Sequence, residues 1–252
     1  MRECIVLRNR QRRRLHANHH EHPFSCGADV GRGRTAQKTY SLSVSRHRAV
    51  PALSEGEVKR ILADASKMLQ KNSRHNHDDD IACNVTFTLK GPVRTFASLD
   101  TPEVVDKDHI DAVHRVDSNV AGVDFRVKAV KEINFCRPGV DGPFQGCSFS
   151  PPDFRSIIVV HPKSHKDPQG RILSKYPDYL LWAHEFGHLT GLGHRDDEQL
   201  ALMTRCPLNT QFFNVSNARV QVNSHECRRL LAGPGVRPPD PLDGTTVCRS
   251  PQ

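Results

Sequence analysis

Hydrophobic positions along the chain fall into short periodic runs, separated by polar or Pro/Gly-rich stretches. Ser54-Glu55-Gly56-Glu57 has the form of a capping box: the Ser54 hydroxyl accepts from the backbone while Glu57 reaches back. Val58, Ile61, Leu62, Met68 and Leu69 follow at helical spacing, which predicts a helix from about 55 to 71. The polar run 73–80, with His75 and His77, reads as a solvated loop. Residues 81–90 (IACNVTFTLK) alternate as a strand would, and Gly91-Pro92 ends it. A short helix is expected within 101–115, one or two strands in 123–135 (VDFRVKAVKEINF), and a short buried strand at 156–160 (SIIVV). Pro177 suits the first turn of a helix running to about Thr190 and stopping at Gly191. A last helix is expected from Ser224 to Ala232, with Asn223 and Glu226 as a cap pair. Strands and helices do not alternate regularly, so an α+β fold is favoured over a doubly wound one.

The chain has 252 residues and a net charge of +8. That length fits one domain or two small ones. No run approaches the ~18 apolar residues of a membrane-spanning helix. A basic excess raises a nucleic-acid partner as a first thought, but its placement argues against one. Residues 1–50 hold ten Arg and one Lys against three acidic residues. The rest of the chain is balanced, with 25 basic and 25 acidic residues. Residues 1–40 therefore read as a basic, disordered extension or propeptide. Residues 41–232 read as the folded domain and 233–252 as a Pro-rich tail. After Met1 the apolar run Cys4-Ile5-Val6-Leu7 is too short for the core of a secretory signal.

The eight cysteines include no Cys-x-x-Cys pair, which leaves a zinc ribbon or thioredoxin-like motif unsupported. Cys136/Cys147 and Cys206/Cys227 are close enough in sequence to be candidate local disulfides, which would mean an oxidising compartment. Scattered reduced thiols are the alternative.

The strongest chemical signal is His184-Glu185-Phe186-Gly187-His188-Leu189-Thr190-Gly191-Leu192-Gly193-His194. His184 and His188 lie four apart and so project from one helical face, a turn apart. Glu185 is angularly displaced from them, placed to hold a water rather than to ligate. Gly191 lets the chain turn off the helix, and His194 can return as a third nitrogen. Three neutral imidazoles with a fourth position open is the layout of a catalytic zinc rather than a structural one. Trp182, Phe186 and Leu189 form an apolar stripe on the other side of the helix.

This stretch resembles the metzincin zinc-peptidase signature, two histidines and a glutamate followed by a glycine turn, a third histidine and a methionine turn. Met203, in Ala201-Leu202-Met203-Thr204, is the methionine, at a spacing similar to that of matrixins. The resemblance implies one catalytic Zn2+ held by His184, His188 and His194. It further implies Glu185 as general base, with Met203 as a hydrophobic floor beneath the metal. It implies a metzincin-like catalytic domain: a twisted mixed sheet with an active-site helix, an upper subdomain to about 193 and a small lower one over 194–232. The implied activity is that of a secreted, monomeric metalloendopeptidase acting on protein or peptide substrates, with no nucleic acid involved. A zinc-binding protein of the same fold without turnover is the competing reading. Two departures stand out: Arg195 follows His194, and no tyrosine closely follows Met203. The segment Pro23–Val30 around Cys26 is similar to the latency-cysteine segment of matrixin propeptides, though an inert tail cysteine is the simpler reading.

Overall fold

The computed structural model describes residues 37–70, 80–97, 100–148, 155–161, 177–195, 201–204 and 220–235. All lie in the unit Thr35–Gln252, one of the two into which the chain divides. The elements are β1 (Lys38–His47), α1 (Glu55–Gln70), β2 (Val85–Leu89), β3 (Arg94–Phe96), β4 (Glu103–Val104), α2 (Lys107–Arg115), β5 (Phe125–Val130), β6 (Glu132–Arg137), β7 (Val140–Phe144), β8 (Gly146–Ser148), β9 (Ser156–Val160), α3 (Asp178–Leu189) and α4 (Ser224–Ala232).

The main sheet runs β2-β1-β5-β9-β8, with β3 also pairing to β1. Its pairings are parallel except that of β8 with β9, which is antiparallel. The sheet is therefore mixed, and the α+β class stands. A second, three-stranded sheet runs β4-β6-β7. β8 is thus the end strand of the main sheet, joined to the second sheet by the short step from β7.

Strand β9 shows how the layers form. Its five residues are all buried, and they divide by parity. Ile157 and Val159 face a core built with α1, α3 and α4, which includes Val58, Leu62, Phe186 and Leu230. Ile158 and Val160 face a smaller core under α2, with Val104, Ile110, Val113 and Ile133. A strand buried on both faces reads as a continuous apolar run, as SIIVV does.

The Ser54/Glu57 box forms as expected, with Glu57 N–H donating to Ser54 Oγ at 3.2 Å and Ser54 N–H to Glu57 Oε2 at 2.8 Å. Asn223 and Glu226 form the second such box at α4. The 101–115 stretch is split: Glu103–Val104 is a strand and the helix starts only at Lys107, capped by Asp106. β1 begins at Lys38, ahead of the expected boundary at 41, and is a central strand that the sequence reading passed over.

The cysteines correct one expectation. Cys227 is bonded to Cys83, not to Cys206. The bridge ties the loop before β2 to α4, a pairing across 144 residues that local spacing does not reveal. Cys206 lies outside the described residues. Cys136 on β6 is bonded to Cys147 on β8.

Candidate metal centre

Helix α3 carries the site, and its apolar back fixes it to the sheet. Phe186 is fully buried. Its ring lies 4.8 Å from Tyr40, 5.0 Å from Phe87 and 4.9 Å from Phe125, on β1, β2 and β5 respectively. Trp182 and Leu189 are also buried. Burying one such side chain contributes roughly 1.5–3 kcal/mol, so the apolar stripe holds the helix in register.

The helix ends in a Schellman arrangement. Gly191 N–H donates to His188 O at 2.9 Å and Leu192 N–H to Gly187 O at 3.1 Å. Gly191 has φ 87°, a left-handed conformation that a side chain would resist. This turn brings His194 back beside the helix.

The donor nitrogens of His184, His188 and His194 all lie within 4.8 Å of one another. His184 Nδ1 donates to Leu202 O and His188 Nδ1 to Leu192 O, both at 2.8 Å. A carbonyl oxygen only accepts, so Nδ1 carries the hydrogen and the Nε2 lone pair of each ring is left for a cation. Burial, the neighbouring His194 and an opposing backbone bond set the His184 pKa down at about 3. Burial, then His184, and in smaller part Arg137, hold His188 at about 3. Both rings are therefore neutral, the ligating form. Three imidazoles, two with oriented second nitrogens, fit a borderline-soft ion such as zinc.

Met203 is fully buried and packs against α3 at Gly187, between His184 and His188. Two main-chain bonds hold its segment: Leu202 N–H to Gln221 O at 2.9 Å, and Arg195 N–H to Met203 O at 2.8 Å. Arg195 also reaches Glu226 on α4, Nε to Oε1 at 3.0 Å and a second guanidinium nitrogen to Oε2 at 3.2 Å. The unusual residue after His194 thus anchors the chain that carries that histidine.

Glu185 is buried, and burial, partly countered by Ser148, raises its carboxyl to about 7. Ser148 Oγ donates to its Oε2 at 2.7 Å. Gly146 lies against the same carboxylate: a Cβ there would come within 2.6 Å of Glu185 Cδ and closer still to Oε1. Neither Ser148 nor Gly146 was singled out from sequence, because three residues reading Gly-Cys-Ser carry no strand pattern. Cys26 and residues 205–219 lie outside the described residues.

No protein-family model matches the chain, and no curated protein matches it. Among solved structures, a zinc-dependent peptidase from Methanocorpusculum labreanum aligns over 75% of this chain and 99% of its own, at 16% identity and TM-score 0.44. Mirolysin in complex with an added compound aligns over 78% and 92%, at 12% identity and TM-score 0.44. A promirolysin mutant from Tannerella forsythia aligns over 80% and 83%, at 11% identity and TM-score 0.46. At such distances the function rests on the site's own geometry.

Proposed function

We propose that the chain is a zinc-dependent endopeptidase of the metzincin type, with His184, His188 and His194 as ligands and Glu185 as general base. The observation that carries this reading is the convergence of three imidazole nitrogens within 4.8 Å, beside a buried carboxylate on the same helix. A zinc ion held there would supply Lewis acidity, polarising a peptide carbonyl and making a water acidic near neutral pH. Glu185, with a pKa near 7, is suited to take a proton and return it to a leaving amine. The apolar walls around Phe186, Leu189 and Met203 keep bulk water from the back of the site. The two disulfides fit a protein of an oxidising, extracellular compartment. The reading includes the upper and lower subdomains that meet near 193, a monomeric state and one ion per chain.

The test is a peptide-library digest of the zinc-loaded protein, with chelator and Glu185→Ala controls. The expected outcome is cleavage abolished by either treatment, with Glu185→Ala still holding one zinc per chain and His184→Ala losing it. Full cleavage by Glu185→Ala would sink the assignment. Bound zinc with no cleavage of any library member would identify a zinc-binding protein without turnover.

A further inference from the structure

We propose that Ser148 is the positioning residue for Glu185: from the end strand β8 it holds one carboxylate oxygen, so that the other is presented in one orientation for proton transfer. This rests on the peptidase reading above, and goes beyond it by assigning a role to a strand outside the histidine motif.

The three residues of β8 divide by parity. Gly146 and Ser148 are two apart and share a face, and both meet the Glu185 carboxylate. Ser148 donates to Oε2 at 2.7 Å, and Gly146 leaves the room that Oε1 occupies. Among the described residues Ser148 is the one hydrogen-bond donor to the carboxylate, so it is this bond that fixes Oε2 and, with it, the direction of Oε1. Cys147 between them points away, is buried, and is bonded to Cys136. On one edge β8 is laddered to β9, with Gly146 opposite Val159 and Ser148 opposite Ile157. Ser148 therefore sits on backbone fixed from the side by the sheet and from behind by a covalent bridge.

A glutamate side chain has three rotatable bonds, and a buried carboxylate without a donor would turn to find one. A proton acceptor has to be within about 2.6–3.2 Å of the proton it takes, so rotation of the carboxylate lowers the fraction of productive encounters. A misplacement of about 1 Å in a reacting geometry can cost ~100-fold in rate, so losing the bond that orients the carboxylate is expected to cost ~10–100-fold. Ser148 touches neither the proton nor a metal ligand, so its effect falls on turnover rather than on binding.

The experiment compares the full chain with Ser148→Ala and Ser148→Thr, zinc-loaded, for kcat and KM separately. Zinc content and thermal unfolding are measured in parallel. Ser148→Ala is expected to lose ~10–100-fold in kcat at unchanged KM and zinc content. Ser148→Thr, which keeps the hydroxyl on the same carbon, is expected to recover most of it. Wild-type kcat in Ser148→Ala overturns the proposal, as does a folded, zinc-replete Ser148→Thr no better than alanine.

A second readout needs neither zinc nor turnover. At fixed pH, the 13C resonance of the Glu185 carboxyl, assigned by its loss in Glu185→Gln, is expected to move in Ser148→Ala and return in Ser148→Thr. A resonance that stays put in Ser148→Ala overturns the proposal. If the resonance moves but the wild-type protein cleaves no peptide, the peptidase reading falls and the Ser148–Glu185 contact stands.

Discussion

Met203 rests on Gly187, the helical residue one position before His188, at a spot where only a hydrogen fits: a Cβ there would lie 3.2 Å from Met203 Cε and run into the sulfur. Gly187→Ala must therefore push the methionine out of its seat. Met is flexible, so the protein should fold, at a cost of about 1–3 kcal/mol. The packing against the helix between His184 and His188 would shift with it. Zinc affinity, measured by competition with a chromogenic chelator, is expected to fall more than the thermal midpoint alone would explain. Unchanged affinity would mean that this packing does not support the site.

Arg195→Ala should be among the most destabilising single changes outside the core. Glu226 is almost wholly buried, and Arg195 engages both of its oxygens. Removing one partner of such a pair costs up to about 3–5 kcal/mol; Glu226 would lose its counter-charge and keep only the Asn223 N–H of its capping box at 2.8 Å. Lysine lacks the planar fork and should restore little. Urea unfolding of the three proteins checks both statements. Since Arg195 follows His194, the alanine variant should also bind zinc more weakly.

Opening the Cys83–Cys227 bridge should lower stability by about 2–5 kcal/mol, since it closes a loop of 144 residues in the unfolded chain. The double variant Cys83→Ala/Cys227→Ala, unfolded in urea beside the wild type, measures this. Because the bridge lies apart from the three-histidine cluster, zinc stoichiometry under native conditions should be the same in the variant as in the wild type.

His114 predicts a definite pH dependence. It lies on the buried side of α2 with Nδ1 at the Ser156 hydroxyl, and burial, opposed by Asp111 and helped by Lys128, lowers its pKa to about 4. The ordinary value is about 6.5. Between those two values the unfolded chain binds the proton and the folded one does not, so stability rises with pH across the window and is lost as pH falls through it. The full loss amounts to ~3 kcal/mol at about 1.4 kcal/mol per pKa unit. Thermal midpoints from pH 7 to pH 4 should fall more steeply for the wild type than for His114→Gln. Parallel curves would show that this histidine is not the cause.

The three-histidine cluster was more legible in the sequence than the fold around it. A helical repeat of histidines and a turn glycine are local patterns, and they bring His184, His188 and His194 together, with Arg195 then anchoring the returning chain to Glu226. The buried stripe Trp182-Phe186-Leu189 followed from the same periodicity. What escaped were features decided at long range. β1 alternates Tyr40, Leu42 and Val44 with serines, but those serines are buried too, at positions 43 and 45. A strand at the centre of a sheet, beside a basic tail, gave no polar face to recognise. β8 is only three residues long and exists because β9 offers it an edge. The Cys83–Cys227 bridge joins parts of the chain that no spacing rule connects, and the short-range rule chose Cys206 instead. The role of Arg195 is likewise set at long range, by Glu226 on α4.

The bonds that orient His184 and His188 both end on main-chain oxygens, those of Leu202 and Leu192. No particular side chain is therefore demanded at either supporting position. Any apolar residue that leaves the backbone path intact would serve the imidazoles equally well. The letters at 192 and 202 can thus be rewritten while the rings keep their support, because it is the path of the main chain there, not the side chains, that holds them.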